Sequence, residues 1–278
     1  MPALALEALL QQTEAIPSLP RMVAQVLQEL QRDEPDAHRL IDGIGAEPGL
    51  TAQVLKMANS PLWGLPRRID SVAEAVTVLG MDALRSVVQA VALGACFRSV
   101  PGVDLELFWR YSVQAAQICR PLARSLGLPP GSAWTAGLMH ASGELVMHLG
   151  MPQEMAALDW HVALFDLHRA AAQQARFGYS YAGVGAALAQ RWHFPDRIVR
   201  ALRHQLAPFE GDVHEPLAGV VHLASWRARA QAMNLDREAM RATFPDAVTM
   251  LLGLSPDAVL DQDPQPWASA GALAAFLP

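Results

Sequence analysis

Cysteine is nearly absent from this chain, because Cys96 and Cys119 are the only two among its 278 residues. Two cysteines within helical apolar patterns supply neither a disulfide framework nor the ligand set of a structural zinc site. An excess of basic residues is absent as well, since 27 acidic residues against 21 basic ones give a formal net charge of −6. We therefore expect no general electrostatic binding to nucleic acid or to an anionic membrane. The low cysteine content is consistent with a reducing cytoplasm as the location.

Long hydrophobic runs are also missing. Nowhere does the sequence contain the run of about 18 apolar residues by which a membrane-spanning helix is recognised. The first residues lack a basic segment and are interrupted by Glu7, Gln11 and Glu14, unlike a secretion signal. With hydrophobic residues at 52% of the chain, the sequence instead predicts a globular protein with a sizeable core, no export and no membrane span.

Apolar residues recur at helical spacing along most of the chain, and no alternating pattern is long enough for a strand. The sequence therefore predicts an all-α fold. We expect two packed helical subdomains, residues 1–99 and 100–208, divided at a Pro-Gly turn, and then a helical extension over residues 209–278. Within the second subdomain, residues 132–150 and 155–177 are each expected to form one continuous helix.

The stretch from residue 47 to residue 88 carries the most specific local signals. Pro48 suits the first turn of a helix, where its missing N–H costs nothing. Pro61 ends that helix, so the side chains of Asn59 and Ser60 can bond backbone groups at the helix terminus. Loss of such a local cap costs about 1 kcal/mol, which is the destabilisation that the sequence predicts for Asn59→Ala.

A second helix start follows this turn. Ser71 and Glu74 have the spacing of a capping box, in which each side chain accepts a hydrogen bond from a backbone N–H that the helix leaves free. Gly80 then fits the position that closes the short helix. The structural signature of the stretch from residue 47 to residue 88 consists of Asn59, Ser60, Gly64, Ser71 and Gly80.

The order of these signals resembles the signature region of the HDOD family, helical bacterial signalling domains related to the HD phosphohydrolases. The resemblance is carried by the Asn-Ser that closes one helix, the aromatic-Gly before a Pro, the Ile-x-Ser, and the Leu-Gly before Leu-Arg. It extends roughly over residues 16–208. It implies that residues 100–208 resemble the helical core of an HD domain.

The same resemblance identifies the positions where an active HD phosphohydrolase has its metal ligands. Such an enzyme uses a His, a His-Asp pair and further His and Asp residues, because imidazoles and a carboxylate must converge to outcompete water. In this chain the corresponding positions hold Tyr111, the pair His140-Ala141, Tyr181 and His204. The resemblance therefore implies a vestigial metal site, with no catalytic residue, no metal, no cofactor and no enzyme activity.

His140, Glu144 and His148 follow one another at intervals of four residues and would share one stripe of a continuous helix. Such a stripe can bind zinc, but buried histidines more often fill a core with their hydrogen bonds satisfied. The sequence leaves open whether these three residues bind a metal.

Retained helix-packing residues together with lost metal ligands favour a non-catalytic regulatory domain that acts through protein–protein interaction. The turn with Trp63, Arg67 and Arg68 is the candidate contact for an unidentified protein partner, and a solvated turn without a partner is the competing interpretation. Two alternatives stay open: a metal-dependent HD-type phosphohydrolase, and a sensor that binds a small nucleotide in the residual cleft. The sensor needs Arg or Lys beside that cleft, and the sequence does not place one there.

Overall fold

The structure, a computed structural model, describes residues 6–11, 21–30, 32, 34–46, 48–59 and 67–262. Its helices are α1 (Leu6–Gln11), α2 (Arg21–Leu30), α3 (Ala37–Gly45), α4 (Pro48–Ala58), α5 (Val72–Cys96), α6 (Leu105–Ser125), α7 (Pro130–Met139), α8 (Ser142–Gly150), α9 (Pro152–Asp159), α10 (Arg169–Phe177), α11 (Tyr181–Arg191), α12 (Asp196–His204), α13 (Pro216–Ala232), α14 (Arg237–Ala242), α15 (Asp246–Leu251) and α16 (Pro256–Leu260). No β-strand occurs in these residue ranges, so the predicted all-α fold is confirmed. None of the helices just named is long and apolar enough to cross a bilayer.

The described residues fall into two compact units. The small unit contains those between residues 21 and 99, and the large unit contains residues 6–11 and 100–262. Helices α13 to α16 follow residue 208 and belong to the large unit. The subdomain limits at residues 99 and 208 remain a proposal drawn from the sequence.

The small unit is built from α2 to α5, and α5 packs against each of the other three helices. Helix α4 begins at Pro48 as predicted. Ser71 is the N-cap of α5, where its Oγ accepts a hydrogen bond from the N–H of Glu74 at 3.2 Å. The Glu74 carboxylate accepts from the N–H of Asp70 at 3.2 Å rather than from that of Ser71, so the reciprocal bond lies one residue earlier than a capping box predicts. Gly80 interrupts α5 with φ 72° and ψ 170°, a conformation that side chains rarely adopt.

The large unit is centred on α6, which packs against α7 and α13, while α8 packs against α11. Two glycines allow these helices to approach closely. A methyl group at Gly137 would lie 2.8 Å from the Cα of Ala116 in α6, and one at Gly143 would overlap the carbonyl oxygen of Tyr181. Helix α8 therefore contacts α11 backbone to backbone, and this fixes Tyr181 relative to the residues around position 140.

Two predicted helices are wrong in extent. Residues 132–150 do not form one helix, because α7 ends at Met139 and α8 begins at Ser142. His140 instead bonds the carbonyl of Gly137 through its Nδ1 at 2.6 Å, a local bond that competes with helix continuation. Residues 160–168 are likewise not helical, because the Asp166 carboxylate accepts from the N–H of His168 at 2.8 Å and closes a turn there.

Candidate functional site

Three helices of the large unit bring two tyrosines and an arginine together. Tyr111 lies on α6, Tyr181 begins α11, and Arg229 lies on α13. Arg229 donates from Nε to the Tyr111 hydroxyl at 2.8 Å and from Nη2 to the Tyr181 hydroxyl at 2.9 Å. Its guanidinium carbon lies 5.8 and 5.3 Å from the two ring centroids, within the range of cation–π attraction. We call these three residues and His140 the tyrosine–arginine cluster.

His140 packs edge-on against Tyr111, with the two ring centroids 4.6 Å apart. Its Nδ1 donates to the carbonyl of Gly137 at 2.6 Å, so in the neutral ring Nε2 is the acceptor. That Nε2 atom is buried and has no hydrogen-bond partner among the described residues. Phe165, from the turn before α10, also contacts Tyr111 edge-on at 5.1 Å.

Burial sets the protonation of this cluster. It raises the pKa of Tyr111 and of Tyr181 even though the neighbouring Arg229 charge lowers them, so both phenols stay protonated. Burial lowers the pKa of His140 to about 3, which keeps the imidazole neutral. Burial is the largest influence on the pKa of Arg229 and acts to lower it, but the phenol oxygens and the Glu144 carboxylate together raise this pKa, so the guanidinium stays charged. The cluster therefore carries a single positive charge.

Glu144 anchors a second buried network in the large unit. Arg169 donates to its carboxylate from Nε at 3.2 Å and from Nη2 at 3.1 Å, and Gln173 donates to it at 2.7 Å. The same guanidinium lies 2.7 Å from Asp159, whose other oxygen lies 3.0 Å from Nε2 of His148. In this network one guanidinium pairs with two carboxylates, so each buried charge has an opposite charge beside it.

The stripe of His140, Glu144 and His148, for which the sequence left metal binding open, is divided between these two groups of residues. His140 belongs to the tyrosine–arginine cluster, whereas Glu144 and His148 belong to the network around Arg169. In the part of the chain that the structure describes, no group of three or more His, Cys, Asp or Glu side chains could hold a metal ion. The cluster itself does not fit a metal, because protonated phenols and a guanidinium provide no anionic ligand and the guanidinium repels a second cation.

The remaining predicted site positions lie at the edge of this arrangement. Ala141 supplies no ligand and lies in the break between α7 and α8. His204 is the last residue of α12 and is half-buried, and no hydrogen bond in the described residues joins its side chain to the cluster. Its neighbour Gln205 is buried and donates to the carbonyl of His140 at 2.9 Å.

The predicted contact turn is described only in part. Trp63, together with Ser60 and Gly64, lies outside the described residues. Arg67 and Arg68 are exposed, and Arg67 forms an ion pair with Glu74.

Asn59 closes the base of that turn. Its side-chain Nδ2 donates to the carbonyl of Leu55 at 2.8 Å and to that of Ile69 at 2.7 Å. Its Oδ1 accepts from the N–H of Ile69 at 2.7 Å. The end of α4 is thereby tied to the segment that leads into α5.

Comparison with known families decides what kind of domain this arrangement belongs to. The family model of the HDOD domain matches residues 16–208, more than half of the chain. The chain belongs to the HDOD domain family. HDOD domains are related to the HD phosphohydrolases, and the resemblance found in the sequence is confirmed.

Solved structures share the fold of this HDOD chain. A candidate phosphohydrolase from Shewanella amazonensis is 28% identical, with a TM-score of 0.78 over 96% of each chain. An HDOD domain protein of unknown function from Geobacter sulfurreducens is 23% identical, with a TM-score of 0.73 over 92% of this chain and 91% of that one. A candidate signal transduction protein from Marinobacter aquaeolei is 24% identical, with a TM-score of 0.72 over 91% of this chain and 57% of that one. The chain spans 42% and 28% of the lengths of the two curated relatives that it matches.

The sequence did not single out Arg229 or Arg169. The HDOD match ends at residue 208, so Arg229 comes from a helix beyond the region that defines the family. The sequence does contain a signal for the burial of Arg229, because Val221, Ser225 and Arg229 follow one another at intervals of four residues on a helix with an apolar face. A charge in line with buried residues indicates a buried partner.

Proposed function

We propose that this HDOD domain is a non-catalytic regulatory domain that acts through contact with a protein partner. One observation carries the non-catalytic part: the guanidinium of Arg229 is bonded to both tyrosines that stand at ligand positions of the HD pattern. A fixed cation there opposes a metal ion, and hydrolysis of the HD type needs that ion to activate water. The competing proposal is a metal-dependent phosphohydrolase that uses the same cleft.

Metal loading and hydrolysis decide between these two proposals. We expect purified protein dialysed against Mn²⁺ or Zn²⁺ to retain no stoichiometric metal, and to hydrolyse neither a phosphodiester nor a nucleotide. Elemental analysis and a phosphate-release assay measure both quantities. Stoichiometric metal that is lost in His140→Ala but kept in His161→Ala, a change at an exposed position, would instead establish the phosphohydrolase.

The interaction part of the proposal places the partner at the turn before α5. The bonds of Asn59 hold the base of this turn, and Arg68 is exposed within it. A rigid base with exposed cationic side chains is suited to an acidic surface on another protein. Arg67 is also 71% exposed at its side chain, so its ion pair with Glu74 leaves the guanidinium accessible.

Site-specific photo-crosslinking in the native cytoplasm tests this contact. A photoreactive residue in place of Arg68 should give a defined adduct, and the same residue in place of Arg98, another exposed arginine of the small unit, should not. The same adduct from both positions, or none from position 68, would refute the turn as the contact. The cytoplasmic location is part of the proposal, which the thiol of Cys119, buried and not joined in a disulfide, supports.

A further inference from the structure

Arg229 carries a buried charge that no carboxylate of the described residues contacts directly. The residue is 5% exposed, and its acceptors are two phenol oxygens and the carbonyl of Asp166 at 3.4 Å. The carboxylate of Asp166 accepts instead from the N–H of His168 at 2.8 Å. The carboxylate of Glu144 is hydrogen-bonded to Arg169, and it acts on Arg229 through its charge without a hydrogen bond. Burial of a cation without a hydrogen-bonded carboxylate is costly, so the environment of Arg229 favours a negative group in direct contact, which the described residues do not supply.

The same place has more hydrogen-bond donors than acceptors. The guanidinium has more N–H groups than the three bonds it makes to the described residues. Tyr111 and Tyr181 each accept a bond from Arg229, and no described residue accepts from their own O–H groups. Both hydroxyls belong to buried residues, so water from the bulk solvent does not satisfy them freely. Buried donors from three different helices thus lack acceptors around one cation that contacts no carboxylate.

We propose that the tyrosine–arginine cluster binds a small oxyanion, held by Arg229 and by the hydroxyls of Tyr111 and Tyr181. An oxyanion supplies what the contacts of Arg229 lack, a negatively charged group at hydrogen-bond distance and several acceptor lone pairs. A guanidinium is well suited to this role because its planar N–H groups match carboxylate and phosphate oxygens. The ligand site goes beyond the proposed protein contact and does not depend on it.

His140 favours one kind of oxyanion. Its buried Nε2 is an acceptor without a partner among the described residues, next to Tyr111. Hydrogen phosphate keeps a proton near neutral pH and can donate it to such an atom, whereas acetate has none. We therefore expect inorganic phosphate to bind more tightly than a carboxylate.

The turn formed by residues 160–168 offers the contact that a ligand would displace. Phe165 packs on Tyr111, and the carbonyl of Asp166 accepts from Nη1 of Arg229 at 3.4 Å. This bond is longer than an ordinary N–H···O bond, so it is the weakest of the three that hold the guanidinium. An oxyanion that replaces it exchanges a neutral acceptor for a charged one, which strengthens the interaction.

Isothermal titration calorimetry on the full chain tests the site. Potassium phosphate, AMP and potassium acetate are titrated separately at pH 7, with chloride adjusted to constant ionic strength. We expect binding of phosphate or AMP, and an increase in Kd of about tenfold in Tyr111→Phe and in Tyr181→Phe, because each removes one hydrogen bond to a charged group. Tyr179→Phe is the matched control, since the Tyr179 hydroxyl donates to the sulfur of Met151 at 3.6 Å and Tyr179 is not a member of the cluster.

The relative affinities of the three probes and of the variants distinguish the possible outcomes. Tighter binding of AMP than of phosphate assigns the site to nucleotides, and tighter binding of acetate assigns it to carboxylates; both support an oxyanion site. Heat no larger than that of chloride for all three probes overturns the proposal, as does an equal loss of affinity in Tyr179→Phe and Tyr181→Phe. Unchanged affinity in both cluster variants, with the wild-type far-UV circular dichroism spectrum, also overturns it. The metal and crosslinking experiments are unaffected by such a failure, because neither involves an oxyanion.

Discussion

Replacement of Asn59 by alanine should destabilise the small unit by more than an ordinary helix cap does. The side chain makes three hydrogen bonds, to the carbonyls of Leu55 and Ile69 and from the N–H of Ile69, at 2.7 to 2.8 Å. Ile69 is 3% exposed, so its peptide groups are left poorly hydrated when the amide is removed. At about 1 kcal/mol for each bond, the loss in the free energy of unfolding is about 3 kcal/mol, against the roughly 1 kcal/mol predicted from the sequence.

Two further variants sharpen this prediction. Asn59→Asp keeps an acceptor for the N–H of Ile69 but places a carboxylate against two carbonyl oxygens, so it should destabilise at least as much as alanine. Arg68→Ala, an exposed change in the same turn, should alter the free energy of unfolding by no more than about 0.5 kcal/mol.

Hydrogen-exchange mass spectrometry of peptides that cover residues 59–75, together with urea denaturation, measures these losses. Exchange at the Ile69 amide should accelerate in Asn59→Ala and Asn59→Asp and stay unchanged in Arg68→Ala. A loss below about 1 kcal/mol in Asn59→Ala, or an aspartate variant that is more stable than the alanine variant, would refute the reasoning.

The other predictions concern the large unit. Gly143→Ala should prevent folding or lower the melting temperature sharply, because the added methyl group meets the Tyr181 carbonyl. Gly183→Ala is the control: the space around Gly183 is open, so the change should stabilise α11 by about 0.5–1 kcal/mol in thermal melts. Glu144→Gln should cost about 3–5 kcal/mol in urea denaturation, since it leaves a buried Arg169 without its main counter-charge. The depressed pKa of His140, about 3 against an ordinary 6.5, means that the unfolded chain binds the proton more readily. The free energy of unfolding should therefore fall as the pH drops below 6.5, and His140 should account for a loss of about 2 kcal/mol at pH 5. In His140→Gln this part of the pH dependence should be absent.

Local signals predicted the helices well where the residues that act are neighbours in sequence. Pro48, Ser71 and Gly80 each mark a helix start or interruption that the structure contains, because a missing N–H, a short polar side chain and a positive φ act within one turn. Local signals did not predict the helix break at residues 140–141. It accompanies the contact between Gly143 and Tyr181, and helical periodicity within residues 132–150 carries no trace of that contact.

The candidate site could be predicted only in part for a related reason. The resemblance pointed to Tyr111, His140 and Tyr181, and the structure brings these three residues together. Arg229 was not among them, because its bond to Tyr111 joins residues 118 positions apart, and a local pattern that places Arg229 among buried residues does not identify Tyr111 as its partner. Side chains that meet only through tertiary packing become visible when the fold itself is known.

Helix α1 completes the large unit from the other end of the chain. Nη1 of Arg191, in α11, donates to the carbonyl of Leu10 at 3.1 Å across 181 positions. A ribosome that adds about 5 to 20 residues per second needs about 10 to 40 s to synthesise that interval. Throughout that time Leu9, fully buried in the finished protein, lacks the surface of α11 against which α1 packs. We therefore expect the small unit to fold first on the ribosome, while the nascent N-terminal helix stays exposed to chaperones until α11 has emerged.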